Sequence, residues 1–290
     1  MFNKLCIIGV GLIGGSIAKS ARQKKLAKTI VGFGRPEDFE NLKHAQKLKI
    51  IDHYYTDIQL AVENANCVII ATPVGSFERI FKQLKPHWSK ETIYTDAGST
   101  KGSVIKAAQT VFGFVPTNFV PAHPIAGAEK SGAEAAQIEL YKNKRLIITP
   151  LKETNKKALS TIQTFWEAIG SYVSFMDIKH HDTVLGATSH LPHILAYALT
   201  DLLGQKNETI EIFKYAAGGF NDFTRIASSD PTMWLDICMA NKDEIIPLLF
   251  EFRHKLEQIE IMLQDNKTHD LFETFSYAQN SRQQFLDQQK

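Results

Sequence analysis

The chain has 290 residues, and domains of about 150 residues are common, so its length predicts two domains. Its net charge of +2 argues against nucleic-acid binding as the main function, because such binding needs a clear excess of basic residues. The three cysteines suggest neither a disulfide framework nor a metal-binding pair, and no apolar run reaches the roughly 18 residues that a membrane span needs.

The first residues, MFNKLCIIGVG, pass directly into a predicted strand. This start lacks the charged, apolar and small-residue regions of a signal peptide. Together with cysteines that show no pairing pattern, it leads us to expect a cytoplasmic protein that binds neither nucleic acid nor membranes.

The net charge is small because two parts of the sequence carry opposite charges that nearly cancel. Residues 1–176 carry 23 Lys and Arg against 14 Asp and Glu, a net of +9, whereas residues 177–290 carry 10 against 17, a net of −7. The basic first part is suited to binding an anionic ligand.

The first part of the chain alternates short β-rich runs with amphipathic segments. The predicted strands are residues 4–9, 29–33, 67–72, 92–95, 119–121, 145–149 and 172–176. Helices are predicted between them at residues 14–23, 37–48, 77–84 and 156–169. Strands that alternate with helices form right-handed crossover units. We therefore expect residues 1–176 to form an α/β Rossmann-type, doubly wound domain with a mostly parallel sheet.

Strand signals fade after residue 176. Helices are predicted at residues 182–203, 207–217, 231–240, 242–263 and 269–288. The fourth of these has apolar residues at the spacing of a one-faced helix, namely Leu248, Phe252, Leu256, Ile259 and Leu263. We expect residues 177–290 to form an all-α domain through which two copies of the chain make a homodimer.

The segment GVGLIG at residues 9–14 has the G-x-G-x-x-G spacing of a dinucleotide-binding turn. It follows an apolar strand and opens a helix, where Gly9 permits a tight turn, Gly11 lets a pyrophosphate approach and Gly14 allows close packing. The N-terminus of the helix supplies unpaired N–H groups for the phosphates. The predicted cofactor-binding residues of this turn are Gly9, Gly11, Leu12, Ile13 and Gly14.

The second predicted strand ends at Phe33, where an acidic residue that binds the adenosine ribose would be expected to follow. Gly34 occupies that position instead, and Arg35 comes next. Loss of the carboxylate removes repulsion against a 2′-phosphate, and an arginine can pair with it, so the sequence favours NADP. The alternative is that Arg35 is a solvated loop residue and NAD binds. Thr72 and Pro73, which end the next apolar strand, are predicted to line the nicotinamide side.

Two further residues follow strands at the same edge of the sheet, where open α/β sheets bind their ligands. Ser99 lies in the segment DAGSTK at residues 96–101, and His123 lies in AHPIAG at residues 122–127. Histidine is the side chain best suited to accept a proton near neutral pH, so this position favours a catalytic role for His123 over a structural one. Ser99 is interpreted either as a helix N-cap or as an active-site residue.

These motifs together resemble the prephenate/arogenate dehydrogenases of tyrosine biosynthesis. The resemblance rests on residues 9–14, 96–101 and 123–127, and it continues in the helical part through residues 181–182, 189–193 and 218–225 and Trp234. The ordered set is specific, and it extends from the first strand to about residue 234.

The resemblance implies an enzyme that oxidatively decarboxylates a cyclohexadienol with hydride transfer to NAD(P). By similarity, His123 accepts the hydroxyl proton, Ser99 hydrogen-bonds the same hydroxyl and His123, and Arg225 binds a carboxylate. The residues that line the substrate pocket by similarity are Ser189, His190 and His193.

The residues around Arg225 support that role independently. Arg253 and Arg282, the other arginines of the acidic part, lie on polar-faced helices, whereas Arg225 follows a Gly-Gly-aromatic break that can aim it into a cleft. A guanidinium binds a carboxylate through two hydrogen bonds. The alternative is a surface pair with Asp222 or Asp230.

His190 and His193 are spaced like a pair of metal ligands, but no third ligand has a suitable spacing and hydride acceptance is the task of the cofactor. We therefore predict no metal site. Asp182 is expected to orient a neighbour or cap a helix, and Trp234 is expected to lie in the core.

Prephenate is favoured as the substrate because His193 can donate to a pyruvyl group, and an arogenate (cyclohexadienyl) dehydrogenase is the alternative. A 3-hydroxyacid dehydrogenase or imine reductase would typically place a catalytic lysine in the helical half. A cofactor sensor without activity would not need Ser99, His123 and Arg225 together. The predicted helices fill the second part of the chain, so we expect no fused mutase or regulatory domain.

Overall fold

The computed structural model describes residues 1–128 and 130–288. Met1–Lys242 form one compact unit, and Asp243–Lys290 form a second. The strands are β1 (Phe2–Ile8), β2 (Ala27–Phe33), β3 (His53–Tyr55), β4 (Cys67–Ile70), β5 (Ile93–Asp96), β6 (Phe119–Val120), β7 (Ala122–Pro124), β8 (Arg145–Ile148) and β9 (Tyr172–Phe175).

Six strands form a parallel sheet in the order β3-β2-β1-β4-β5-β6. This is the doubly wound order of dinucleotide-binding folds, which confirms the predicted fold class. All four residues of β4 are buried, as expected for a parallel strand that is covered on both faces. The strand order reverses between β1 and β4, so a crevice opens beside their carboxyl ends.

A second sheet has the order β7-β8-β9, with β7 antiparallel to β8 and β8 parallel to β9. The strands predicted at residues 145–149 and 172–176 therefore belong to this smaller sheet and not to the main one. Pro121 separates β6 from β7 and has no N–H to donate to a strand ladder. The chain passes from the main sheet to the smaller sheet at this residue.

The helices of the first unit are α1 (Leu12–Gln23), α2 (Phe39–Lys47), α3 (Ile58–Val62), α4 (Phe77–Leu84), α5 (Gly102–Phe112), α6 (Lys156–Ala168), α7 (Ile178–Leu185), α8 (Leu191–Ile210), α9 (Gly218–Thr224) and α10 (Pro231–Ala240). Two separate apolar clusters include alternate residues of β1, because successive side chains of a strand point to opposite faces. Ile7 packs in one cluster with Phe165 of α6, and Ile8 packs in the other with Phe81 of α4 and Val104 of α5.

The structure confirms most predicted elements to within two residues at each end, but the helical part contains corrections. The helix predicted at residues 207–217 is wrong, because α8 continues to Ile210 and a short 3₁₀ turn follows at Ile212–Tyr215. Gly204 lies inside α8, which tolerates it because one glycine in a helix costs only about 1 kcal/mol. The helix predicted at residues 182–203 is interrupted by a π-helical turn, Gly186–His190, that joins α7 to α8.

Two further features differ from the prediction. The Gly-Gly-aromatic segment before Arg225 is a helix, α9, and not a break. β3, β7 and α3 have no predicted counterpart, because they contain only three, three and five residues. The helix that Ser99 was considered to cap is α5, which begins at Gly102.

The second unit contains most of α11 (Lys242–Gln264) and all of α12 (Thr268–Asp287). Both helices carry large apolar side chains that are exposed in the single chain, namely Ile246, Phe250, Leu256, Ile261, Leu263, Phe272, Phe275, Tyr277, Phe285 and Leu286. Exposed apolar surface of this kind is typical of a region that packs against another protein surface. Of the helices that the structure describes, none is both long and apolar enough to cross a membrane.

A buried ion pair joins the end of β5 to the start of α5. Asp96 and Lys101 are fully buried, and Lys101 Nζ donates hydrogen bonds to Asp96 and, at 2.7 Å, to the carbonyl oxygen of Ala122. The Asp96 carboxylate also accepts hydrogen bonds from the backbone N–H groups of Gly98 at 2.8 Å and Ala122 at 3.0 Å. Gly98 directly precedes Ser99, and Ala122 directly precedes His123, so this pair fixes the backbone of both predicted site loops.

Replacing Asp96 by Asn should destabilise the protein strongly, because it leaves the Lys101 ammonium buried without a negative partner. We expect the free energy of unfolding in urea to fall by about 3–5 kcal/mol. The control is Glu78→Gln, which breaks the exposed pair of Glu78 and Lys82 and should change stability by less than about 1 kcal/mol. A loss for Asp96→Asn that is no larger than the control value would contradict the role of the buried pair.

Candidate active site

The turn between β1 and α1 has the geometry that its glycines predict. Gly9 has a φ of +91°, and a Cβ there would lie 2.8 Å from the carbonyl oxygen of Ala71. A Cβ on Gly14 would lie 2.0 Å from the carbonyl oxygen of Gly9, so α1 packs tightly against the turn. A Cβ on Gly11 would meet no described protein atom within 4 Å, which shows that the backbone there faces open space.

A cavity of about 680 Å³ opens at this turn, and we call it the turn cavity. Its size lies in the range of small-molecule sites, and the first N–H groups of α1 can bind the phosphates of a dinucleotide there. The open space above Gly11 fits such a ligand. The predicted cofactor-binding residues that line the turn cavity are Gly9, Gly11, Gly34, Arg35, Thr72 and Pro73.

One end of the turn cavity contains two arginines and a carboxylate. Arg35 Nε and Nη2 each donate a hydrogen bond of 3.0 Å to the carboxylate of Asp38, and Arg79 lines the same cavity. The hydrogen bond from Arg35 holds the pKa of Asp38 below its ordinary value. A Cβ on Gly34 would lie 3.1 Å from the Cβ of Asp38, so Asp38 occupies the space beside the position where the ribose-binding acid was expected. Neither Asp38 nor Arg79 is predicted from the sequence as a residue of this cavity.

A second cavity, of about 460 Å³, lies on the other side of the turn, and we call it the histidine cavity. Leu12 and Ile13, both predicted to bind the cofactor, line this cavity, whereas Gly14 is buried beneath the turn. The structure brings all six predicted catalytic and substrate-binding residues together here: Ser99, His123, Ser189, His190, His193 and Arg225.

A chain of hydrogen bonds runs from His123 into the protein interior. His123 Nδ1 lies 2.9 Å from Nε2 of His181, and His181 Nδ1 lies 2.8 Å from Oδ1 of Asp182. His181 is fully buried, whereas His123 lines the histidine cavity. The second nitrogen of His123, Nε2, makes no hydrogen bond to any residue that the structure describes. This nitrogen is therefore available to a ligand.

Asp182, the last residue of this series of hydrogen bonds, also binds the N-terminus of α5. Its Oδ1 accepts a hydrogen bond from the backbone N–H of Lys101 at 2.8 Å, and its Oδ2 accepts one from Gly102 at 2.7 Å. Burial acts to raise the pKa of Asp182, but the hydrogen bonds from His181, Lys101 and Gly102 hold it below its ordinary value. Asp182 is therefore ionised at neutral pH, and the expectation that it orients a neighbour or caps a helix is confirmed on both counts.

The histidines of the cavity are neutral at neutral pH. Burial lowers the pKa of His123 well below 6.5, and the charges of His181, Lys101 and His190 act in the same direction. Burial also lowers the pKa of His190 to about 4. A neutral imidazole at His123 is able to accept a proton.

Several neighbours fix the walls of the histidine cavity. His190 Nδ1 lies 3.0 Å from Nδ2 of Asn241, and His193 Nδ1 lies 2.9 Å from the carbonyl oxygen of Ser189. The ring of His193 stacks on Trp234 with a centroid distance of 3.7 Å. Trp234 is buried, as expected, but it also lines the cavity, and its Nε1 has no hydrogen-bond partner among the described residues.

The loops and turns that carry Ser99, Ser189 and Arg225 differ in detail from expectation. Ser99 does not cap α5, which begins at Gly102. The expected hydrogen bond between Ser99 and His123 is not present between these two described residues, because Nδ1 of His123 is used by His181 and Nε2 faces the cavity. Ser189 lies in the π-helical turn, a feature that is frequent at functional sites. Arg225 begins a 3₁₀ turn directly after α9.

Two family models match most of the chain. The model described as "Prephenate dehydrogenase, nucleotide-binding domain" matches residues 17–175, and "Prephenate dehydrogenase, dimerization domain" matches residues 177–277. The chain is 34% identical to the cyclohexadienyl dehydrogenase of Zymomonas mobilis, over 97% of this chain and 96% of that protein. It is 35% identical to the prephenate dehydrogenase of Bacillus subtilis, over 97% of this chain and 76% of that protein.

Solved structures show the same relationship. The prephenate dehydrogenase of Aquifex aeolicus, in complex with hydroxyphenyl propionate and NAD⁺, has a TM-score of 0.89 and 37% identity, and the match covers 98% of this chain and 99% of that chain. The arogenate dehydrogenase of Synechocystis shares the fold, with a TM-score of 0.78 at 23% identity over 97% of this chain and 99% of that chain. With its glycine turn and parallel sheet, the chain belongs to the prephenate dehydrogenase family and is an NAD(P)-dependent oxidoreductase.

Proposed function

We propose that the protein converts prephenate to 4-hydroxyphenylpyruvate by oxidative decarboxylation. The observation that carries this proposal is the position of His123 Nε2, which faces the same cavity as Arg225, beside the dinucleotide-binding turn. This arrangement supplies a proton acceptor and a carboxylate-binding cation for a ring that carries both a hydroxyl and carboxylates.

The residues of the histidine cavity have separate roles in this reaction. Nε2 of His123 accepts the proton of the ring hydroxyl, Ser99 donates a hydrogen bond to the hydroxyl oxygen, and Arg225 binds a substrate carboxylate. The nicotinamide cofactor, when bound, accepts a hydride from the carbon that bears the hydroxyl. The bond between the ring and its carboxylate then breaks, carbon dioxide leaves, and the electron pair of that bond enters the ring, which becomes aromatic. The oxygen takes back the proton that His123 had accepted, so the product is a phenol.

Ser189, His190 and His193 form the remaining wall and shape the cavity for the substrate side chain. His193 and Trp234 stack face to face, so the imidazole is held in a fixed orientation. His193 Nδ1 donates a hydrogen bond to the carbonyl oxygen of Ser189, so the neutral ring presents an unprotonated Nε2 that can accept a hydrogen bond but cannot donate one to a keto group. The donor role expected for His193 is therefore not a reason to prefer prephenate, because an acceptor suits the amino group of arogenate. The preference for prephenate is supported instead by the relatives of 35% and 37% identity that are named prephenate dehydrogenases.

The experiment that tests the function is a steady-state assay with prephenate and arogenate, each with NAD⁺ and NADP⁺. We expect reduced cofactor to form with the highest kcat/KM for prephenate. A higher kcat/KM for arogenate would reassign the substrate, and no turnover with any of the four combinations would overturn the function.

The cofactor preference is proposed to be NADP. Gly34 leaves the end of β2 without a carboxylate, and Arg35 and Arg79 line the turn cavity there. Arg35 would exchange its hydrogen bonds to Asp38 for a 2′-phosphate. Asp38 favours the alternative, because its carboxylate lies beside Gly34 and can accept from ribose hydroxyls, and the Aquifex aeolicus relative was solved with NAD⁺.

The assembly is proposed to be a homodimer through the C-terminal helices. The exposed apolar side chains of α11 and α12 support it, as does the dimerization-domain match over residues 177–277.

We propose residues 1–176 as the cofactor-binding domain and residues 177–290 as the helical substrate and dimerisation domain, since the two family matches meet at residue 176. The free thiols of Cys6, Cys67 and Cys238 support a location in the reducing cytoplasm.

Replacing Arg35 by Ala should lower kcat/KM for NADP⁺ by about 10- to 100-fold, because a charge-assisted hydrogen bond is lost. The value for NAD⁺ should change little. Asp38→Asn is the matched comparison, since it releases Arg35 and should leave NADP⁺ use intact or improved. A large loss of NAD⁺ turnover in Asp38→Asn, with no NADP⁺ effect in Arg35→Ala, would show the opposite preference.

Replacing His123 by Asn should lower kcat by about 10²- to 10⁴-fold while KM for the substrate changes little, because the general base is lost. In the wild type the base is active when neutral, and its pKa lies well below 6.5. The acidic limb of kcat/KM should therefore have its midpoint below pH 6.5. His44→Asn, on the exposed face of α2, is the control and should behave like the wild type. Full activity of His123→Asn would exclude His123 as the base.

Replacing Arg225 by Ala should raise KM for the substrate by about 10- to 100-fold, the effect expected for hydrogen bonds to a charged partner. KM for the cofactor should stay nearly constant, because Arg225 lines the histidine cavity and not the turn cavity. Arg225→Lys keeps the charge but cannot form two parallel hydrogen bonds to a carboxylate, so its substrate KM should lie between those of the wild type and Arg225→Ala. An unchanged substrate KM in Arg225→Ala would mean that the carboxylate binds elsewhere.

A further inference from the structure

We propose that His181 is a positioning residue that fixes the tautomer of His123, so that Nε2 of His123 is the only nitrogen able to take the substrate's proton. This inference rests on the proposed function, in which His123 is the general base. His181 is fully buried and does not line the histidine cavity, so it acts through His123 and not on the substrate.

Asp182 carries a negative charge. Its two carboxylate oxygens accept hydrogen bonds from the backbone N–H groups of Lys101 and Gly102 at the N-terminus of α5, which favours the ionised form. An ionised carboxylate can only accept hydrogen bonds. The contact of 2.8 Å between Asp182 Oδ1 and His181 Nδ1 therefore requires the proton to lie on Nδ1 of His181.

A neutral imidazole carries one N–H and one unprotonated nitrogen. With its proton on Nδ1, His181 presents an unprotonated Nε2 to His123. The distance of 2.9 Å between the two rings then requires His123 to donate from Nδ1. Nε2 of His123, which faces the cavity, is left with the lone pair that a general base needs.

The opposite arrangement is disfavoured by the charges around the pair. If His123 carried its proton on Nε2, two lone pairs would face each other across 2.9 Å unless His181 were doubly protonated. Burial holds the pKa of His181 below its ordinary value and the charge of Lys101 acts in the same direction, although the hydrogen bond that His181 donates to Asp182 and the charges of Asp182 and Asp96 oppose this lowering. The remaining titratable group that affects His123 is His190, whose own pKa is lowered to about 4.

The hydrogen bonds from His123 to His181 and from His181 to Asp182 also stabilise the imidazolium of His123 after it has accepted the proton. The imidazolium that forms at His123 still donates from Nδ1 to His181, and the negative charge of Asp182 lies one hydrogen bond further on. This is the logic by which a buried carboxylate orients a catalytic histidine, with a second histidine inserted between the two.

The test compares two substitutions at His181 with prephenate under the conditions that give wild-type turnover. His181→Gln keeps an oxygen that can accept from Nδ1 of His123, whereas His181→Phe keeps the ring shape and removes the acceptor. We expect His181→Phe to lower kcat by about 10²-fold or more, with the substrate KM nearly unchanged. We expect His181→Gln to retain most of the wild-type kcat.

The pH profile provides a readout that a merely structural role would not change. In His181→Phe the imidazolium of His123 loses the lone pair that accepts from its Nδ1, and no repelling charge is removed because His181 is neutral. The pKa of His123 therefore falls, and the acidic limb of kcat/KM moves to lower pH. In His181→Gln the limb should remain close to that of the wild type. A kcat and an acidic limb in His181→Phe that match the wild type would overturn the inference, and so would equal losses of kcat in both variants with cofactor binding intact.

A measurement on the wild type covers the case in which His181→Phe does not fold. In protein labelled with ¹⁵N-histidine at neutral pH, with resonances assigned by His123→Asn and His181→Gln, we expect protonated Nδ1 and unprotonated Nε2 in both rings. A protonated Nε2 on His123 would overturn the inference. This measurement needs no turnover, so a wild type that fails to oxidise either substrate would count against the proposed function alone.

Discussion

Two buried carboxylates at the start of α5 hold the residues that we predict to be catalytic in place. Asp96 accepts hydrogen bonds from the backbone N–H groups of Gly98 and Ala122 and pairs with Lys101, and Asp182 accepts from the first N–H groups of the helix. Because each carboxylate bonds to more than one segment, β5, α5, β7 and α7 are fixed relative to one another. A buried charge without a partner destabilises a protein by several kcal/mol, so conformations that separate these groups inside the protein are strongly disfavoured.

The two parts of the chain, which differ in net charge, contribute different cationic residues to the two cavities. Arg35 and Arg79, at the end of the turn cavity, come from the basic part with its net charge of +9. The histidine cavity uses neutral imidazoles, whose low pKa values follow from burial, and one cation, Arg225, contributed by the acidic part. Neutral imidazoles beside a separate cation fit the proposed reaction, in which the same small cavity accepts a proton and binds a carboxylate.

Local patterns in the sequence predict the fold and much of the site, because the residues involved are close in the chain or follow strands. The turn at residues 9–14 can be read from its spacing, and Ser99 and His123 can be placed because parallel strands end at one edge. The contact between His123 and His181 spans 58 residues and depends on how α7 packs, which no local pattern encodes. The second sheet could not be predicted for the same reason: the sequence predicts β8 and β9 as strands, but nothing in them specifies the partner strand. The π-helical turn that carries Ser189 arises from packing and not from a residue signal.

The most direct test of the site is the position of the ring hydroxyl in a bound complex. A crystal structure with the oxidised cofactor and an unreactive cyclohexadienol or phenol analogue would show it. The account predicts the hydroxyl oxygen about 2.6–3.2 Å from Nε2 of His123, with a carboxylate of the same molecule on Arg225. A hydroxyl that contacts Arg225 while a carboxylate faces His123 would contradict the assignment of the base, the anion-binding residue and the orientation of the substrate together.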